Sequence, residues 1–166
     1  MAVLWGDEVM YNQITIKLNK NYQRPVIELP ELYGISALLD TGASFPVWTG
    51  SKETLINLKA ILVKENVKFG GFGQGDAIGD IYKIPLIKIR SLIYPWLHIV
   101  HTPKDYPYKF IISATMFQNL IYQVDDKNKR LNIDIPDGES NIKNLVLKYN
   151  DNRIKVLVTD GEANIS

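Results

Sequence analysis

The chain of 166 residues contains no cysteine. That absence excludes disulfide staples, thiolate metal sites and a cysteine nucleophile, and it suits a reducing compartment better than secretion. An excess of charge is missing too. The 19 basic and 18 acidic residues leave a formal net charge of +1, so no long-range field gathers phosphate backbones or anionic lipid. Nucleic acid and membrane are therefore not expected as partners. No apolar run is long enough to cross a bilayer, and Met1 to Glu8 lacks the basic segment and apolar stretch of a secretory signal. The expectation is a soluble, cytoplasmic protein. Histidine is scarce as well: His98 and His101 are the only two. Three apart on a strand they face opposite ways, so each reads as a partly exposed structural residue and no metal site is expected.

What is present is ordinary for one domain with its own core, with 46% of residues hydrophobic. Short apolar or alternating runs rich in Ile, Val and Tyr, punctuated by Gly, Pro, Asn and Asp, predict a mainly β protein. The expected strands are Tyr11 to Leu18, Val26 to Leu29, Ile35 to Leu39, Phe45 to Trp48, Asn66 to Phe69, Asp80 to Ile89 and Trp96 to Val100. Two more, Ile121 to Val124 and Leu131 to Ile135, flank a turn in which Asp125 and Asp126 read as solvated residues. Ser51 to Leu58 reads as a helix with a serine cap, and Ala114 to Leu120 as a second with Met116, Phe117 and Leu120 on one face. Beyond the polar seam at Pro136 to Asn141, Ile142 to Tyr149 and Arg153 to Val158 read as a hairpin. The organisation expected is a domain over residues 1–136 with a hairpin extension over 137–166 packed on it, because about 25 residues cannot hold a core alone.

The segment Ile35 to Val47 places an acid, Asp40, at the end of a buried-looking strand, followed by Thr41, Gly42, Ala43 and Ser44. An isolated carboxylate beside an apolar interior is costly, so Asp40 should be paired, hydrogen-bonded or protonated. Gly42 permits a tight turn, and the hydroxyls of Thr41 and Ser44 can bond the carboxylate or hold the loop. The plainer reading makes Asp40 a turn residue. The glycine-rich stretch Gly70-Gly71-Phe72-Gly73-Gln74-Gly75 lacks both the Lys-Ser or Lys-Thr pair of a phosphate loop and the dinucleotide spacing, and reads better as a flexible hairpin. Trp5, Tyr94, Trp96, Tyr106 and Tyr108 have no matching basic stripe and read as core or interface residues.

In order and spacing these features resemble the retropepsins, the dimeric aspartic peptidases, from about Tyr11 to Ile135. Asp40-Thr41-Gly42-Ala43, preceded by Leu38 and Leu39, matches the catalytic motif. Phe69 to Gly75 looks like the flap tip, with Asp80 to Ile89 as the strand returning from it. Ile111-Ile112-Ser113 stands at the apolar pair plus glycine that precedes the family's helix. Ser113 departs from that glycine; either a slight backbone shift accommodates it or it marks an altered site. The resemblance implies a closed β barrel of the acid protease type, a homodimer acting on a peptide or protein substrate, and no cofactor. Asp40 would be catalytic, Thr41 would bond across the dimer axis, the Gly42 amide would bond the carboxylate, and Gly70 to Gly75 would close over substrate. Met1 to Met10 or Ile142 to Tyr149 would add strands at the interface. A retropepsin-like module that binds peptides without cutting them is the alternative.

Overall fold

Alternation of apolar and polar side chains, with one face of most outer strands turned inward, sets much of the architecture. Over residues 11–70 and 75–160, which the computed structural model describes, the chain is mainly β. Its strands are β1 Tyr11–Lys17, β2 Val26–Leu29, β3 Ile35–Asp40, β4 Val47–Trp48, β5 Ile61–Gly70, β6 Asp76–Ile89, β7 Leu92–His101, β8 Phe110–Ser113, β9 Ile121–Asp125, β10 Arg130–Pro136, β11 Leu145–Asn150 and β12 Arg153–Thr159. Along β10, Leu131, Ile133 and Ile135 are buried and the residues between them are not, as expected of a strand with one face on the core.

Three strands form one antiparallel sheet in the order β1-β10-β9. Nine form the other, in the order β11-β12-β5-β6-β7-β4-β8-β3-β2. The expected closed barrel does not form among the described residues. The larger sheet ends on β2 and β11, and the outer edge of β5 is taken by β12 through the parallel pair Arg153 and Lys68. The smaller sheet meets β2 through an isolated bridge between Leu18 and Ile27. Leu145, Leu147, Ile154 and Leu157 of the C-terminal hairpin are buried in the same core cluster as Leu29, Leu39, Phe110 and Ile112.

Among the described residues there is one α-helix, α1 Lys52–Asn57. The Ser51 hydroxyl accepts a hydrogen bond from the Thr54 amide at 3.2 Å, which satisfies one of the free donors at its start. The second expected helix is a 3-10 turn, Ala114–Phe117. Gln118 leaves helical geometry at once, and Asn119 takes a left-handed φ of 64°. The buried Tyr94 hydroxyl donates to the Met116 carbonyl at 2.9 Å and holds that turn. Burial pushes the Tyr94 phenol above its ordinary range.

Three strands start at least four residues earlier than expected, β6 among them, at Asp76 rather than Asp80. β5 begins at Ile61 rather than Asn66, since its register shifts between Leu62 and Val67 and its first residues are exposed or half-buried, which erases the two-residue period. β7 begins at Leu92 rather than Trp96, because Pro95 and the left-handed Trp96 (φ 50°) look like breaks in a run that nonetheless pairs with β6 on both sides of Trp96. In β6, Gly79 is required by close approach: a methyl group there would lie 2.7 Å from the His101 carbonyl oxygen. No helix among the described residues is long and apolar enough to cross a membrane.

Candidate active site

β3 and β4 run antiparallel but do not touch. β8 is inserted between them, parallel to β3 and antiparallel to β4. The connection from Asp40 to Val47 must therefore arch over the end of β8, and this forces an irregular loop at the point where the acid sits. Leu38 and Leu39 pair in register with Ile111 and Ile112, and all four are buried. Burying each contributes about 1.5–3 kcal/mol relative to exposure, so the loop rests on a firm floor.

Asp40 is partly buried at the rim of that floor. Its Oδ1 accepts a hydrogen bond from the Gly42 amide at 3.0 Å, and its carbonyl accepts one from the Ala43 amide at 3.0 Å, a tight turn that aims the carboxylate. Gly42 is not in the left-handed region, and a methyl group on it would make an ordinary contact of 3.5 Å with Asp40 Oδ1. The turn itself therefore does not demand glycine, contrary to the reason inferred from sequence. Thr41 and Gly42 are exposed.

Ser113 is the register partner of Asp40 and is wholly buried. Its hydroxyl lies 2.8 Å from Thr115 Oγ1, which in turn donates to the Ser44 carbonyl at 2.8 Å. Thr115 has a single hydroxyl hydrogen and spends it on Ser44, so Ser113 is the donor in the first bond. The loop is thus held through the carbonyl of Ser44 rather than its hydroxyl, and serine is accommodated by a hydrogen-bonded relay. Sequence reasoning gave Thr115 no role; a buried hydroxyl at a position needing a partner was the available signal.

Asp40 opens into a cavity of about 490 Å³, a size suited to small groups or a few side chains. Apolar walls come from Phe45, Val47 and Ile111, and the far wall from Phe69 and Gly70 at the end of β5. Phe45 and Phe69 meet edge-on, 5.6 Å between ring centroids, which ties the loop to the β5–β6 hairpin. Arg24, Lys104 and Tyr106 give the cavity a basic side, with Arg24 Nη1 donating to the Tyr106 hydroxyl at 3.2 Å. No sequence feature marked Arg24 or Lys104, while Tyr106, read from sequence as a core or interface residue, lines the cavity.

No family model matches the chain, and no curated protein matches its sequence. Asp40, Gly42, Ala43, Ser44, Gly70 and Ile111 line one cavity. Ile112 and Ser113 lie beneath it in the sheet, and Gly75 (φ 82°) opens the return into β6. Gly71, Phe72, Gly73 and Gln74, like Met1 to Met10 with Trp5, lie outside the described residues.

The remaining candidates separate from the site. His98 Nδ1 accepts from the Leu147 amide at 3.1 Å, whereas His101, buried rather than partly exposed, meets the Gly50 carbonyl through Nε2 at 2.9 Å. Asp125 bonds the amide and side chain of Asn128, and Asp126 pairs with Lys129 at 3.0 Å, so both belong to a solvated turn. Tyr94 and Tyr108 are buried, while exposed Trp96 lies under Lys83 at 5.2 Å. Among the described residues no group of three or more His, Asp or Glu side chains is placed to hold a metal ion.

Proposed function

We propose that this chain is an aspartic endopeptidase of the retropepsin type, acting as a homodimer. The observation that carries the reading is Asp40 itself: a carboxylate held by the Gly42 amide on an arched loop, lining a cavity that can take a few side chains. Peptide hydrolysis needs a base to activate water and an acid to protonate the developing oxyanion. Each chain contributes one such carboxylate to its cavity, so two copies of Asp40 meeting on a twofold axis supply the pair. Two carboxylates a few ångströms apart cannot both ionise freely and share one proton. The ionised member takes a proton from a water molecule, which attacks the carbonyl carbon, and the protonated member donates to the carbonyl oxygen. No cofactor is needed.

The exposure of Thr41 and Gly42 agrees with a loop that a second copy would cover. The apolar walls and the end of the β5–β6 hairpin suit an extended peptide whose alternate side chains enter pockets. The bonded hydroxyl of Ser113 leaves the Asp40 carboxylate unobstructed, which favours activity over a purely binding role.

A peptide-library cleavage assay at acidic to neutral pH, comparing the native chain with Asp40→Asn, tests the proposal together with mass in solution. Cleavage by a dimer, abolished in the folded variant, is expected. A monomer at high concentration, or cleavage unaffected by Asp40→Asn, overturns it. Peptide binding without cleavage, unchanged by the substitution, would instead identify a binding module.

A further inference from the structure

The C-terminal hairpin lies outside the segment that resembles a peptidase, yet it grips the wall of the candidate cleft. Arg153, the first residue of β12, meets Asp76, the first residue of β6, through two hydrogen bonds: Nη1 to Oδ2 and Nη2 to Oδ1, both 2.9 Å. Asp76 is the register partner of Gly70, which lines the cavity beside Phe69. A second link lies next to the first. The Lys68 amide donates to the Asn152 carbonyl at 2.7 Å, and Arg153 and Lys68 form the parallel bridge between β12 and β5. The strand that carries the cavity's far wall and its partner β6 are thus both held by the tip of one hairpin.

The pair is solvent-exposed, with side chains 43% and 52% accessible. Exposed ion pairs contribute little to global stability, so this one acts through geometry. Guanidinium and carboxylate are both planar, and a two-point bond between them fixes direction as well as distance, which a lysine cannot reproduce. The hydrogen bonds from Arg153 hold the Asp76 carboxyl below its usual range, and Asp76 raises the guanidinium in return.

We infer that Arg153 is a positioning residue for the cleft: through Asp76 it sets where Phe69 and Gly70 stand relative to Asp40. The inference rests on the peptidase reading for its consequence in substrate affinity, but not for the clamp. In the full-length chain, Arg153→Ala, Arg153→Lys and the exchange Arg153→Asp with Asp76→Arg are compared by amide hydrogen exchange and by peptide cleavage. Exchange at Lys68, Phe69, Gly70 and Ala77 is expected to rise about two- to fivefold in Arg153→Ala, to stay raised in Arg153→Lys and to recover in the charge exchange. KM should rise by a similar factor with kcat nearly unchanged. Unaltered exchange in Arg153→Ala overturns the clamp, as does failure of the charge exchange to restore protection. Raised exchange with unchanged KM overturns the positioning role. If no chain cleaves any peptide, the peptidase reading fails, and hydrogen exchange still decides the clamp.

Discussion

At Ser113 the side chain is wholly buried, so its hydroxyl must be bonded or cost about 1–3 kcal/mol. The relay through Thr115 to the Ser44 carbonyl meets that need, and it joins the end of β8 to the loop above it. Ser113→Ala removes one member of the relay, and a loss of about 1 kcal/mol in urea unfolding is expected. Thr115 keeps its bond to Ser44, so cleavage should fall less than tenfold. Gly42 works differently. A methyl group there meets no steric bar within the chain, so Gly42→Ala should leave stability unchanged or raise it by up to about 1 kcal/mol. It also sets that methyl group 3.5 Å from the Asp40 oxygen on an exposed surface, where substrate and a second copy would lie. Cleavage should therefore drop sharply while the melting temperature holds, and equal losses in both would place the role of Gly42 in folding instead.

Among the elements, the docking of β11 on β7 depends on a neutral imidazole. The Leu147 amide donates to His98 Nδ1, which can accept only while it carries no proton. Burial lowers the His98 pKa from its usual value, Lys83 on β6 lowers it further, and Asp160 at the end of the hairpin opposes them. The unfolded chain thus binds a proton more readily than the folded one. The stability this gives is complete above about pH 6.5 and is lost as pH falls from there through the lowered folded value. Amide exchange at Leu147 should accelerate over that range, and His98→Gln, whose amide oxygen can accept the same bond, should flatten the dependence. How far such elements can be read in advance depended on local rules. The Ser51 cap, β2 and the turn at Asp125 to Arg130 obey short-range chemistry and were legible. The first half of β5 was hidden by its register shifts, and the start of β7 by Pro95 and Trp96, because tertiary pairing overrode local preference. Asp40 could be picked out, since an acid closing an apolar strand is conspicuous. Arg24 and Arg153 could not, because the folded sheet alone brings them to the cavity or its wall.

For the molecule as a whole, the proposed activity belongs to a pair of chains, and this can be tested by mixing. A fixed amount of native chain combined with increasing Asp40→Asn chain should lose cleavage in proportion to the native pairs consumed, whereas a catalytically sufficient single chain would not respond. The sheets also determine when such a site can exist at all. Thr115 and Ser44 are 71 residues apart, and Thr15 meets Asn132 from 117 residues away. Contacts of such range form late and slowly, because long loops must close before any pairing rewards them. A ribosome adding about 5–20 residues per second needs several seconds after Asp40 to deliver Phe110 to Ser113. Until that strand slides between β3 and β4, the loop has no floor, and the carboxylate is an ordinary surface acid. Topology therefore imposes a delay on the site: the proposed chemistry must wait until β8 is in place between its two neighbours.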